Sequence, residues 1–530
     1  MKSIASLLSI IALGFGLLGC PDGGGGGGST AAFAVSTTAA DFGVVGNPYA
    51  STLAATGGTA PLTWTVSGGV LPTGLSLDAG TGVVSSMPGP TAAGNFTVVF
   101  TVTDSTGKTA TGSVLFAIHT RTDRVSVDSS GTAGNGVSST PSINSDGSLV
   151  AFVSQSTNFV TGVNGFQIYV HNRRTNQVEV ISRDNNTTTV NEGDGVSSDP
   201  AISGDGRFVV FVSQSTNLVT GVSGQQVYLR DRQTVQTTLI SKSSSGATSN
   251  GLVNSSPAIS GDGQFIAFVS NATNLVAGVS GQQIYLHDRA TATTTLISKD
   301  NSPVPVAGNG NSATPSISST GQFVAFTSLA TNLGAVGGTQ QIYIHDRLAG
   351  ANATSLISKD GSATAGNGNS STPSVSGDGQ FIAFASVATN LVTGVSGGQI
   401  YLHDRNTGVN GTNSIVSHDN NGVPVQGNGG STLPSISSNG QVISFASLAT
   451  NLLNPAPAVT GQQIYSHDRL AGASGTTSLV SKDNSVIPIA GDFASDQPSA
   501  NSTGAFMAFS SQATNLVAGS GFHIYVRAMP

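Results

Sequence analysis

The side chains able to do chemistry in this sequence recur at regular intervals. A His-Asp-Arg triplet stands at His287-Asp288-Arg289, His345-Asp346-Arg347, His403-Asp404-Arg405 and His467-Asp468-Arg469. A histidine beside a carboxylate is common material for acid–base catalysis. Several near-copies cannot all be catalytic, so the triplet reads as a strand-end tie between Asp and Arg. A second series, Asn135, Asp194, Asn250, Asn309, Asn367, Asn428 and Asp492, is mostly flanked by glycine. A ring of amides and carboxylates could coordinate a cation or hydrogen-bond a sugar, which makes these seven the candidate binding face. Asn and Asp beside Gly also adopt left-handed turn geometry for local reasons, and both readings stand. A third series, Asp128, Asp184, Asp300, Asp360, Asp419 and Asp483, carries the same two readings.

These residues are spaced by a repeat. The element Pro-Ser/Ala-Ile, somewhat varied, recurs at Pro141, Pro200, Pro257, Pro315, Pro373, Pro434 and Pro498, at intervals of 57 to 64 residues. A fixed period just above that of familiar propeller repeats predicts a propeller or a similar array. Each unit offers four strands. Pro-Ser-Ile-Ser is small enough for a crowded centre. An Asp-Gly turn (Asp262-Gly263) leads into Phe265–Val269, whose continuous apolarity predicts burial on both faces. Gln-Ile-Tyr-Leu-His-Asp and Thr-Leu-Ile-Ser-Lys follow.

The last unit stops after Ile524-Tyr525-Val526, whereas an orphan fourth strand, Arg124–Asp128, precedes the first. A chain offset by one strand closes as a ring, which leaves no open terminal blade face. Residues 121–530 are therefore expected to form a seven-bladed β-propeller. Its Asp-Gly hairpins and post-Arg turns belong on one face and its long connections on the other, where ligands of a ring approach. An asparagine (Asn158, Asn217, Asn274, Asn332, Asn390, Asn451, Asn515) and a tyrosine (Tyr169, Tyr228, Tyr285, Tyr343, Tyr401, Tyr465, Tyr525) occur in every repeat. Presence in every blade predicts structural work: the asparagine closing its own loop, the tyrosine packing between blades. The SxDGxxxAF…IYxHDR unit resembles the WD40-like repeats of TolB-type propellers. That resemblance implies the fold. TolB itself has six blades behind a mixed α/β domain and works with a peptidoglycan-associated lipoprotein, so its partnership does not carry over to seven repeats behind a different module.

Residues 30–119 read as short strands between turns, with Leu62–Val66, Leu75–Leu77, Phe96–Thr103 and Ser113–Ile118 as candidates and Trp64 as a core plug. Their Gly-Gly-x-x-Pro-Leu-x-Trp and Leu-Pro-x-Gly-Leu-x-Leu elements resemble the Ig-like, cadherin-like modules of bacterial surface proteins, which implies a β-sandwich acting as spacer or adhesive unit. Asp41, Asp78 and Asp104 are too scattered for a cadherin-type calcium site. The fold class is all-β throughout.

The amino terminus sets the expected compartment. Lys2, the apolar run Ile4–Leu18 and Gly19 have the layout of a signal peptide over 1–19, and Leu17-Leu18-Gly19-Cys20 resembles a bacterial lipobox. The resemblance implies lipidation of Cys20, with residues 20–29 as a glycine-rich tether and the membrane as a partner through the anchor; an ordinary secretory signal is the alternative. Pro21 directly after the cysteine favours the outer membrane. Cys20 is the one cysteine, so no internal disulfide forms. Charged residues are 8% with a net charge of −7 and no basic run, which argues against nucleic acid.

Catalytic signals are thin. Glutamate occurs at Glu179 and Glu192 alone, leaving little material for a glycosidase Glu pair. Neither a P-loop nor a His-Glu-x-x-His helix is present. No cofactor, metal or catalytic residue is assigned. The expected function is a lipid-anchored, monomeric envelope protein whose propeller binds a protein or glycan on its loop face. The alternative is a polysaccharide hydrolase or lyase using an Asp/His cluster there. An enzyme requires one blade to break the sevenfold pattern with a convergent acid–base pair. The largest departures, Ser243-Ser244-Ser245 and Asp492-Phe493-Ala494, bring none.

Overall fold

The computed structural model describes residues 31–529, apart from 187–190, 252–255, 335–337, 351–352, 422, 455–460 and 486. The leader, Cys20 and the whole of the tether lie outside the described residues. Among the described residues no helix is long and apolar enough to cross a membrane.

Six consecutive four-stranded antiparallel sheets are each built from one repeat, blade 1 being Ser138–Ile143, Leu149–Ser154, Gln167–Asn172 and Gln177–Val180. The seventh sheet takes Ser495–Ala500, Phe506–Ser511 and His523–Ala528 from the carboxyl end and Thr122–Arg124 from before the first repeat. The chain is thus a seven-bladed propeller closed by an N-terminal strand. The closing strand lies earlier than Arg124–Asp128. Its ladder runs through Arg124↔Tyr525 and a bond from Val125 N to Ile524 O of 2.9 Å. Ser126 Oγ then accepts the Ile524 amide at 3.1 Å, a side chain taking the place of the next rung, and Val127 turns back to bridge Ala133. Outer strands elsewhere end the same way: Thr293–Leu296 stops before Ser298, whose Oγ accepts from Ile284 N at 2.9 Å.

The second strands are buried along almost their whole length, as their continuous apolarity requires. Each clamps against the next blade, so Val210 and Leu229 of blade 2 share one core with Phe268 and Tyr285 of blade 3. The tyrosines do pack between blades. At the turn face, arginines stitch the same seams. The guanidinium carbon of Arg289 lies 3.8 Å from the centroid of Phe208 in the preceding blade, and Arg347 lies as close to Phe265. The expected Asp–Arg tie does not form. Adjacent strand residues point to opposite faces, so Asp288 instead caps its own turn through Ala290 N at 2.9 Å and Gln264 Nε2 at 3.0 Å. The histidine of the triplet is buried against Thr294 Oγ1, 3.0 Å from His287 Nδ1, and burial pushes its pKa down to about 4.

The Ig-like module is a two-sheet sandwich. Gly43–Val44, Thr109–His119, Gly94–Thr103 and Thr63–Gly68 form one sheet and Tyr49–Thr52, Val83–Ser86 and Leu75–Leu77 the other. Trp64, Val84, Phe100 and Phe116 fill the space between them. The module packs on the turn face of the propeller beside blades 1 and 7. His119 Nε2 lies 2.7 Å from Arg173 O, Arg174 pairs with both Asp41 and Asp146, and the rings of Phe42 and Phe506 are 5.2 Å apart.

Candidate functional site

The seven residues Asn135, Asp194, Asn250, Asn309, Asn367, Asn428 and Asp492 lie exposed on the loop face, one per blade. The ring does not bring them together; each is clamped to its own blade's loop between the second and third strands. Asn309 Oδ1 accepts Thr331 N at 2.8 Å and its Nδ2 donates to Thr331 Oγ1 at 2.9 Å. Asp194 and Asp492 make the same pair of bonds to Thr216 and Thr514 with both carboxylate oxygens. The Thr-Asn-Leu asparagine completes the clamp from the other side, since Asn332 Oδ1 accepts Asn309 N at 2.9 Å and its Nδ2 donates to Ala307 O at 3.0 Å. It ties the inter-blade connector to the loop, rather than closing its own loop.

The third Asp series serves turns: Asp300 Oδ1 accepts Ser302 N and Val306 N at 3.2 and 2.8 Å. In blade 2's exit, Ser243 takes that place with its Oγ, accepting Ala247 N at 3.1 Å. The module's Asp78 and Asp104 likewise cap local amides. Among the described residues no group of three His, Cys, Asp or Glu side chains could hold a metal ion.

A different ring converges on the axis. The residue before each Pro-Ser/Ala-Ile element, namely Thr140, Asp199, Ser256, Thr314, Thr372, Leu433 and Gln497, has φ between 46 and 73°. In blades 1, 2 and 4 to 7 it sits in a bulge that shifts the inner-strand register by one residue. Left-handed backbone is strained for a non-glycine residue, most of all for β-branched threonine. Seven such positions line one cavity of about 390 Å³ at the channel's loop-face end, walled by the seven prolines.

The opposite end of the channel is narrow, about 130 Å³. There the blades are drawn together by a closed circle of backbone bonds: Ser145 N to Gly204 O, Gly204 N to Gly261 O, Asp262 N to Ser319 O, Ser319 N to Gly377 O, Gly377 N to Ser438 O, Asn439 N to Ser502 O and Ser502 N back to Ser145 O, at 2.8 to 3.4 Å. The channel is therefore a cup open on the loop face.

This cup is where the repeats stop agreeing. Its lip carries a single carboxylate, Asp199, whose pKa is raised by burial, together with one leucine, one glutamine and four hydroxyl side chains. Around the cup the exposed apolar residues Leu329, Val387 and Leu448 stand at matching places in blades 4, 5 and 6. Phe493, 52% exposed, sits where the other repeats have glycine. A Cβ at Gly429 would lie 2.6 Å from Leu448 C, so the glycine permits a close approach that blade 7 gives up in order to present an aromatic ring.

Residues 31–119 match the family described as Putative Ig domain. The module is an Ig-like domain. No curated protein matches the sequence. Solved structures similar to the chain include an oligogalacturonate lyase in complex with manganese, at 11% identity and a TM-score of 0.47, covering 92% of this chain and 98% of that one. An oligogalacturonate lyase from Vibrio parahaemolyticus is similar at 11% identity and 0.48, covering 83% and 98%. The β-propeller domain of the Trilobed protease from Pyrococcus furiosus is similar at 11% and 0.43, covering 74% and 94%. The propeller assignment rests on the strand pairing within this chain.

The sequence carried one signal for the cup. Within a unit whose neighbours repeat, the residue before each inner-strand proline varies freely. An Xaa-Pro pair reads as extended chain, and the bulge that turns this residue toward the axis is invisible until the blades are assembled.

Proposed function

We propose that the chain is a non-enzymatic, lipid-anchored protein of the cell envelope whose propeller recognises a protein or glycan on its loop face, at and around the mouth of the central cup. The observation that carries this reading is the cup itself. Among the described residues its rim gathers one carboxylate, one amide and one leucine among hydroxyl side chains, and it has a narrowed floor, a strained rim and exposed apolar residues beside it. Strained backbone persists where the surrounding structure enforces it, commonly at functional sites. An apolar patch with a few convergent polar groups is the usual composition of a binding face.

The lyase or hydrolase alternative asks for a convergent acid–base pair. Among the described residues Asp199 is the one ionisable side chain lining the cup, and the triplet histidines stand at the far ends of the third strands beside the turn face. A lone carboxylate can orient a ligand but cannot supply both proton transfers of glycoside cleavage. The Ig-like module, which precedes the propeller in the chain, occupies the turn face, on the side away from the mouth. An anchored propeller of this shape presents its cup outward, with the module as a docked pedestal in place of a free stalk.

The test immobilises residues 29–530 and measures retention of envelope glycans and proteins, alongside the Phe493→Asp and Leu448→Asp variants. Saturable retention with no change in ligand size, weakened at least tenfold by either variant, is expected. Shortening of a retained polysaccharide, or retention indifferent to both variants, would overturn the reading. Labelling with a radiolabelled fatty acid in a bacterial host should mark the full chain and not its Cys20→Ser variant.

A further inference from the structure

The inner edge of each blade faces the channel, and every backbone amide there needs an acceptor. In blade 1 the accounting closes. Ser138 N donates to Phe522 O at 2.8 Å, Thr140 N to Gln497 Oε1 at 2.8 Å, Ile143 N to Ser499 Oγ at 3.3 Å and Ser145 N to Gly204 O at 3.0 Å. The first, third and fourth of these devices recur in most blades. The second does not, because it needs a side chain reaching across from the preceding blade.

Gln497 has that reach for Thr140, and the Asp199 carboxylate accepts from the backbone of Ser256. The amide of Gln497 is taken by its neighbour Asp496 at 2.9 Å. Before each of the other four positions the preceding blade offers only a serine or threonine hydroxyl, which stops at the γ position. Among the described residues no side chain of the preceding blade accepts from the amides of Asp199, Thr314, Thr372 and Leu433, in contrast to Thr140. All four belong to bulged residues outside the strand register, and all four residues line the cup.

Resting on the loop-face reading above, we infer that these four amides, with the Asp199 carboxylate, form a site for the end of an uncharged glycan chain. Four outward N–H donors call for acceptor oxygens, which excludes a metal cation as the occupant. A carboxylate on the same rim opposes an anion. A saccharide hydroxyl satisfies both, accepting from an amide and donating to Asp199, and the C–H face of a pyranose packs against Leu433 and the proline wall. The cup's volume lies within the range of small-ligand sites. Recognition through backbone donors explains how side chains that differ from blade to blade can build one site: the ligand reads the amides left uncapped, and the two long side chains Gln497 and Asp199 decide which those are.

The test is hydrogen exchange of residues 29–530 with a panel of neutral oligosaccharides (hexose, N-acetylhexosamine, pentose and deoxyhexose termini), with digalacturonate as anionic probe and calcium chloride as cationic probe. At least one neutral saccharide at millimolar concentration should slow exchange about tenfold in peptides covering 312–317, 370–375 and 431–436. The 138–143 peptide, whose amide is already capped, should not change. Leu433→Arg, which fills the cup, and Asp199→Ala should each abolish the protection, and unchanged melting of Leu433→Arg would show that its fold is intact. Protection by digalacturonate or calcium alone, or by no member of the panel, would overturn the inference. If envelope ligands are still retained by both cup variants but lost in Phe493→Asp, the cup assignment fails while the loop-face reading stands.

Discussion

The guanidinium carbon of Arg173 lies 4.6 Å from the centroid of Phe42 and 5.0 Å from that of Phe506. Arg173 is blade 1's counterpart of the seam arginines, and Phe506 is the blade 7 aromatic it meets where the ring closes. Phe42 comes from the Ig-like module and covers the same cation, leaving Arg173 fully buried with its pKa lowered to about 10 by desolvation. The module thus joins the seam on which closure depends.

Phe42→Ala should therefore act on the propeller as well as the module. Loss of one aromatic face from a desolvated cation, with the packing that accompanies it, costs about 1–3 kcal/mol. Urea unfolding should show that loss, with faster proteolysis near Thr120. A change confined to the module's own transition would contradict the shared seam.

Closure by the N-terminal strand gives a sharper expectation. Val125 is fully buried with Ile524, Val526 and Phe152. Val125→Asp places an unpaired carboxylate in that core, at a cost of several kcal/mol. Hydrogen exchange should show the 523–528 strand losing protection before any strand of blades 3 to 5.

The asparagine clamps are predicted to be interchangeable. Asn332 and Asn390 make matching bonds, each accepting an amide at 2.9 Å and donating to a carbonyl at 3.0 Å. Asn332→Ala and Asn390→Ala should each cost about 1–2 kcal/mol, with equal effect on stability and none on ligand retention. Unequal binding losses would restore the clamp ring as a recognition surface.

Acid should loosen the ring in a defined window. Burial holds His171, His287, His345 and His467 at about 4 in the folded state, against about 6.5 when unfolded. The unfolded chain then binds more protons below pH 6.5, so the stability contributed by neutral histidine is fully present above 6.5. It is lost as pH falls from 6.5 toward 4, by roughly 1–3 kcal/mol per histidine. The urea midpoint should decline over that interval, and His287→Gln should flatten part of the decline. A midpoint constant from pH 7 to 4.5 would contradict it.

Much of this molecule was legible in the sequence because its information is local and repeated. The period of Pro-Ser/Ala-Ile, the continuous apolarity of Phe265–Val269 and the missing last strand fixed seven blades and an offset closure. The module's Leu75–Leu77 appeared where alternation and turn residues put it. Repetition also separated structure from chemistry at Tyr285 and Asn332, since a side chain needed in every blade is needed by the blade. What the sequence alone could not supply was direction. Arg289 turning from Asp288 to Phe208, Ser126 standing in for a ladder rung, and Phe42 reaching Arg173 all depend on which blade lies alongside. The cup is the extreme case. Asp199 and Leu433 are separated by 234 residues and lie in different blades, and each is turned to the axis by a bulge that Xaa-Pro chemistry disfavours. Whether their amides have acceptors is set by the length of one side chain on the neighbouring blade, and that relation exists only once the ring has closed.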